Sequence, residues 1–303
     1  MATLTIGKRR KRSTRRTSSK RSRAAHATPK RRAGLAARLR RYRRPSGRKL
    51  SRTQQTAFIA YVTAGDPNLR FTEQLVLRLA EAGADVIELG VPFSDPIADG
   101  PVIQRASERA LQAGTTLAGV LKLAARIRRK SDVGLVLFSY YNPVLQMGVE
   151  RFAQRAAAAG VDGVLITDLT PEEAGGYVAV LRRRKLDTVF LAAPTSTNER
   201  LRQIARLSRG FVYLIARRGV TGARQDVPDD VRAVVRRLRR YTTLPVAVGF
   251  GIAHRDQVAA LSRIVEGVVV GSALVECCQR HGHGPEALDA AAALVRELKG
   301  AGP

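Results

Sequence analysis

The 303-residue chain has no tryptophan, 5% aromatic residues, two cysteines and four histidines. Each shortage removes a class of function. So few rings leave little from which to build a base-stacking platform for nucleic acid. Cys277 and Cys278 are adjacent and poorly placed to bridge each other, so no disulfide framework is expected, which favours a reducing compartment. Placed on a helix, the two thiols point in different directions, which argues against a thiol site. His26, His254, His281 and His283 are scattered and do not make a metal-ligand pattern, so no metal is expected. No apolar run approaches the length of a membrane span, and the first residues lack a hydrophobic signal core. Walker loops and nucleophile elbows are missing too.

Acidic residues are absent before Asp66, whereas 21 of the 53 Lys and Arg lie in residues 1–56. The other 247 residues set 32 basic against 25 acidic side chains, so the formal charge of +28 is mostly a property of one end. Residues 1–33 are rich in Arg, Lys and Ser, lack apolar periodicity and are expected to be a disordered tail. For this tail the reading stays open between a solvated, self-repelling segment and a contact with nucleic acid, which is expected nowhere else in the chain, and no membrane partner is expected. The compartment expected is the cytoplasm, or a plastid if residues 1–33 are a transit peptide. Leu35, Leu39 and Tyr42 then recur at helical spacing, which predicts a short docked helix within 34–44 and a single domain over 34–303.

From residue 57 the pattern becomes regular. Apolar strand candidates lie at 58–64, 84–91, 134–141, 162–169, 188–194, 210–216, 244–250 and 267–273. Helical periodicity fills the stretches between them, including 70–82, 104–129, 150–159, 172–184, 198–207, 228–240 and 254–263, with a last helix at 284–299. Strands that are apolar on both faces and alternate with helices imply a covered parallel sheet. Eight of them predict a (β/α)8 TIM barrel.

Chemistry in such a barrel sits where the strands end. Gly219, Gly222, Gly249, Gly251, Gly271 and Ser272 cluster after the sixth, seventh and eighth strands, where small residues and helix N-termini suit an anion such as phosphate. "VIELGVPFSDPIADGP" (86–101) places Glu88 inside an apolar strand and Asp95 and Asp99 on its exit loop. Facing the helices, Glu88 would be an unpaired buried charge costing about 3 kcal/mol or more. Facing the mouth, it would be a proton-transfer group with a raised pKa. Asp99 can fold back over the same mouth, and Asp95, between residues of a Pro-rich turn, is expected to shape the loop as an Asx residue. The residues alone leave open which phosphorylated small molecule would be the substrate.

"FIAYVTAGDP", "IELGVPFSDPIADGPVIQRA", "YYNPV", "VDGVLITDL", "GVTGAR", "PVAVGFGI" and "GVVVGSALV" occur in this order between Ala57 and Glu276. Together they resemble the tryptophan synthase alpha chain family. The resemblance implies a lyase that cleaves indole-3-glycerol phosphate to indole and D-glyceraldehyde 3-phosphate without cofactor. It also implies a beta chain partner in an alpha2-beta2 tetramer that turns the indole into L-tryptophan. It matches Glu88 and Asp99 to the catalytic carboxylates, and Tyr213, Tyr61 and Phe58 to positions near the indole. Thr221, Gly222, Gly251, Gly271 and Ser272 match substrate-binding positions, with phosphate at the glycines and serine, and Arg217 belongs to a closing loop. The chain departs from the family at Thr167 to Thr170, in a loop that meets the beta chain, and at Ala216, where a serine is common.

Overall fold

The computed structural model describes residues 1–3, 33–42, 56–216, 229–249 and 251–300. The chain divides into two compact units, Met1–Arg32 and Ala33–Pro303, and all elements below belong to the second. Apart from residues 1–3 and 33, the tail expected at 1–33 lies outside the described residues.

The strands are β1 (Ala57–Thr63), β2 (Val86–Gly90), β3 (Gly134–Ser139), β4 (Gly163–Ile166), β5 (Asp187–Val189), β6 (Leu191–Ala192), β7 (Val212–Ile215), β8 (Val246–Gly249) and β9 (Gly267–Val270). Every pairing is parallel, in the order β5-β4-β3-β2-β1-β9-β8-β7-β6. The two ends of this order are successive pieces of the one run expected at 188–194. Phe190 separates them, and its carbonyl accepts the Tyr213 N–H at 3.1 Å. Side-chain alternation continues across the break: Val189 and Leu191 pack inside, whereas Phe190 and Ala192 pack outside. The nine segments therefore make the eight-run TIM barrel, closed through Phe190.

Twelve helices are described: α1 (Leu35–Arg40), α2 (Leu69–Glu81), α3 (Pro101–Gln112), α4 (Leu117–Arg128), α5 (Tyr141–Met147), α6 (Val149–Ala158), α7 (Gly175–Arg183), α8 (Asn198–Leu207), α9 (Asp229–Leu238), α10 (Arg255–Leu261), α11 (Ser272–Arg280) and α12 (Pro285–Lys299). The stretch 104–129 resolves into two of them. Gly114 takes a positive φ after α3, and the Thr116 hydroxyl caps α4 by accepting the Gly119 N–H at 3.2 Å. Apolar spacing runs through the break, so the cap residues were the better signal.

Helix α1 closes the end of the barrel away from the mouth. Leu35 and Leu39 are fully buried and pack with Ala57, Ile59, Val86, Val136, Leu165 and Phe211, inward residues low in the barrel. Glycines at the strand starts make room for them. A Cβ at Gly163 would come within 2.8 Å of Leu35, and one at Gly267 within 3.2 Å of Leu39. Buried Asp85 anchors the turn after α1: it accepts from Tyr42 Oη at 2.9 Å, from Lys299 Nζ at 3.0 Å and from the Phe58 N–H at 2.9 Å, and pairs with Arg41.

Leu39→Ala should therefore lower unfolding free energy by about 2–5 kcal/mol in a urea titration. Arg40→Ala, exposed on the same helix, should stay within about 0.5 kcal/mol of the parent.

Candidate active site

The mouth opens into a cavity of about 330 Å³. Its floor comes from inward-facing strand residues: Tyr61, Glu88, Phe138, Leu191, Tyr213 and Val269. Tyr61 and Glu88 are register partners on adjacent strands. Glu88 is 0% exposed, and neither carboxylate oxygen has a hydrogen-bond partner. Burial alone pushes its pKa up to about 8, so at neutral pH it is a carboxylic acid with a proton to give.

Asp99 lies just before α3 and also lines the cavity. Burial raises its pKa to about 6, opposed by a hydrogen bond from Tyr140 Oη at 3.2 Å. The two carboxyl groups are thus biased apart, with Glu88 protonated where Asp99 is largely ionised. Tyr140 also accepts the Ala98 N–H at 2.9 Å, while Gln104 Nε2 donates to the Asp99 carbonyl at 2.9 Å. Together these bonds hold the loop over the mouth. Tyr140 lies within "YYNPV", 41 residues from Asp99, and no local pattern marks it for the site, because only folding brings the two together.

Asp95 is exposed outside the cavity. Its carboxylate accepts from the Ser94 hydroxyl at 2.5 Å, and the turn is closed by its backbone carbonyl, which takes the Ile97 N–H at 2.9 Å. The expected Asx role is corrected accordingly: the backbone forms this turn.

Phe58 is also corrected. It is fully buried between the sheet and the helices, on the face of β1 opposite Tyr61, and it does not line the cavity. Three positions separate the two residues, and an odd separation reverses the face of a strand. Tyr61 remains at the mouth, with its ring edge-to-face against Phe138 at 5.2 Å.

Gly249 proves to seat a side chain. A Cβ there would lie 2.1 Å from the Tyr213 hydroxyl, and one at Gly90 would lie 2.2 Å from that of Tyr61. In both cases the glycine pairs with the residue two beyond the tyrosine on the neighbouring strand. Gly249 therefore leaves the expected anion set, because its missing side chain is the space a ring needs.

Gly251, Gly271 and Ser272 do line the cavity, on one wall. Ser272 begins α11, so the unpaired first N–H groups of that helix lie at this wall. Thr167, from the loop after β4, lines the cavity too. Arg217, Gly219, Thr221 and Gly222 lie outside the described residues. Cys277 and Cys278 are buried, and burial pushes the Cys278 thiol up to about 12, which leaves it protonated and inert. Among the described residues, no three His, Cys, Asp or Glu side chains come together as a metal set.

A closed parallel barrel with a protonated glutamic acid and a separate aspartate at one mouth is a barrel enzyme of the acid–base class. Residues 48–301 match the sequence profile described as tryptophan synthase alpha chain. The tryptophan synthase alpha chain of Solibacter usitatus is 54% identical over 250 residues, covering 82% of this chain and 94% of that one. That of Geotalea daltonii is 52% identical, covering 75% and 86%. A solved structure of the tryptophan synthase a2b2 complex from Pyrococcus furiosus includes a chain with 43% identity and a TM-score of 0.76, covering 80% of this chain and 98% of that one. The chain belongs to the tryptophan synthase alpha chain family.

Because the folded pKa of Glu88 lies above its ordinary value, ionising the group works against the native state. Its cost is absent below about pH 4.5 and grows as pH rises towards 8. Glu88→Gln should therefore melt above the parent at pH 8, with the gap narrowing as pH falls to 5. Thermal unfolding across that range provides the check, and a gap that does not depend on pH would count against the ionisation.

Proposed function

We propose that this chain is the alpha subunit of a tryptophan synthase, a lyase that cleaves indole-3-glycerol phosphate to indole and D-glyceraldehyde 3-phosphate. The observation that carries the chemistry is Glu88, fully buried without a partner at the cavity floor. Indole is a poor leaving group as a carbanion, so its C3 must be protonated before the C–C bond breaks. Glu88 gives C3 that proton. Asp99 accepts a hydrogen bond from the indole N–H and stabilises the positive charge that develops on the ring. The resulting Glu88 carboxylate takes the proton of the glycerol hydroxyl as the C–C bond breaks, which forms the aldehyde and restores the acid. Protons balance within one residue, and no external oxidant or reductant is needed.

Tyr61 and Tyr213 flank the indole, while Gly251, Gly271 and Ser272 with the start of α11 receive the phosphate. The family resemblance adds Thr221 and Gly222 to the substrate site and Arg217 to a loop that closes over it, a water-excluding step. The P. furiosus relative is an a2b2 complex, and by that likeness this chain passes indole to a beta chain that makes L-tryptophan. No described helix is long and apolar enough to cross a membrane, and the curated relatives above are bacterial. We place the enzyme in the cytoplasm, with a catalytic domain spanning 34–303 preceded in sequence by a tail at 1–33.

Purified protein should release indole from indole-3-glycerol phosphate slowly alone and faster with a beta chain; no indole under either condition would refute the assignment. Glu88→Gln should lower kcat by about 10²–10⁴ with little change in KM. The dependence of kcat/KM on pH should be bell-shaped. Its acid limb near 6 reflects ionisation of Asp99, and its alkaline limb near 8 reflects loss of the Glu88 proton. A profile still rising at pH 9 would exclude Glu88 as the acid.

A further inference from the structure

Basic residues gather at the closed-face ends of three neighbouring helices. Helices α8 and α9 carry acidic residues in their first turns and basic residues in their last: Glu199 against Arg206, and Asp229 and Asp230 against Arg236 and Arg237. Helix α7 likewise ends in Arg182 and Arg183. These helices return to β5, β7 and β8, so their C-terminal ends meet on the face opposite the mouth, in one contiguous sector of the barrel. Arg182 links two of the ends directly, donating to the Arg206 carbonyl at 3.1 Å.

The three connections, residues 182–187, 206–212 and 236–246, hold ten Lys and Arg against a single carboxylate, half-buried Asp187. Arg183, Arg184, Lys185, Arg206, Arg209 and Arg240 are exposed, and none enters a salt bridge among the described residues. A cation or two at a helix end complements the dipole. Four in succession at 182–185 go beyond that need and repel one another. The large apolar residues exposed among the described ones are Met1, Ile97, Leu111 and Leu145, and none lies in these connections. The sector thus lacks both the apolar anchor that would seat it in a lipid surface and the buried core that would hold a protein partner.

We propose that this sector is a docking surface for single-stranded RNA, bound through its phosphate backbone. Guanidinium forks suit phosphate oxygens, and this surface is made of loops and helix ends, with no helix or ribbon projecting to enter a duplex groove. A flexible single strand can follow it. The surface lies on the barrel itself and is distinct from the basic residues of the N-terminal segment.

The test uses the full chain and a labelled oligouridylate of about 20 nucleotides, with binding followed from roughly 50 to 200 mM salt. Replacing Arg183, Arg184, Arg209 and Arg240 together by Glu should reduce the slope of log K against log salt by about 3, at roughly 0.7 per phosphate contact. The N-terminal residues are the same in both proteins, so they do not contribute to the difference. Indole release serves as the control for folding and should be unchanged, since none of the four lines the cavity. Should the fourfold variant not fold, Arg183→Gln with Arg184→Gln should still lower the slope by about 1. An unchanged slope would overturn the surface. Duplex DNA or anionic vesicles bound as tightly as the RNA would overturn the assigned occupant.

Discussion

In a closed parallel barrel, every strand residue faces either the packed interior or the helical layer, and successive residues alternate between the two. Water reaches neither face along most of a strand, so the only inward positions open to chemistry are those at the strand ends. Tyr61, Glu88, Phe138 and Tyr213 occupy such positions, and Ile59, Val86, Val136 and Phe211, two residues earlier, pack beneath them. Leu35 and Leu39 of α1 close the opposite end. The site is therefore the top layer of a core whose bottom layer is sealed by aliphatic packing.

That geometry is what makes Glu88 useful. A carboxyl group with no partner and no solvent keeps its proton at neutral pH, whereas Asp99, on a loop with a phenolic donor, loses its proton about two pH units lower. The low dielectric that destabilises an ionised Glu88 is what fits it for the proposed role as an acid. The surrounding space is shaped as much by missing atoms as by present ones, because Gly90 and Gly249 lack the side chains that would displace the two tyrosines.

The helices divide charge as the strands divide polarity. Helices α7, α8 and α9 end in basic residues on the closed face, and acidic residues begin α8 and α9 at the mouth end.

Strand count, helix alternation, the short helix α1 and the anomalous carboxylate were legible in the sequence because each leaves a local mark: an apolar run, a 3.6-residue spacing, or one charged residue among aliphatics. Phe58 and Gly249 were misplaced because their roles depend on relations that spacing does not reveal. The face of Phe58 follows from the strand's orientation in the closed sheet, and the purpose of Gly249 depends on a ring from the adjacent strand. Tyr140 met Asp99 across 41 residues, a distance no local pattern spans. The sequence by itself determined a barrel of eight strand runs and which carboxylates were anomalous, since periodicity and burial preference act locally. Only the tertiary structure decided which protons those carboxylates hold and which face carries the charge, since desolvation and surface field arise when residues distant in the chain are brought together.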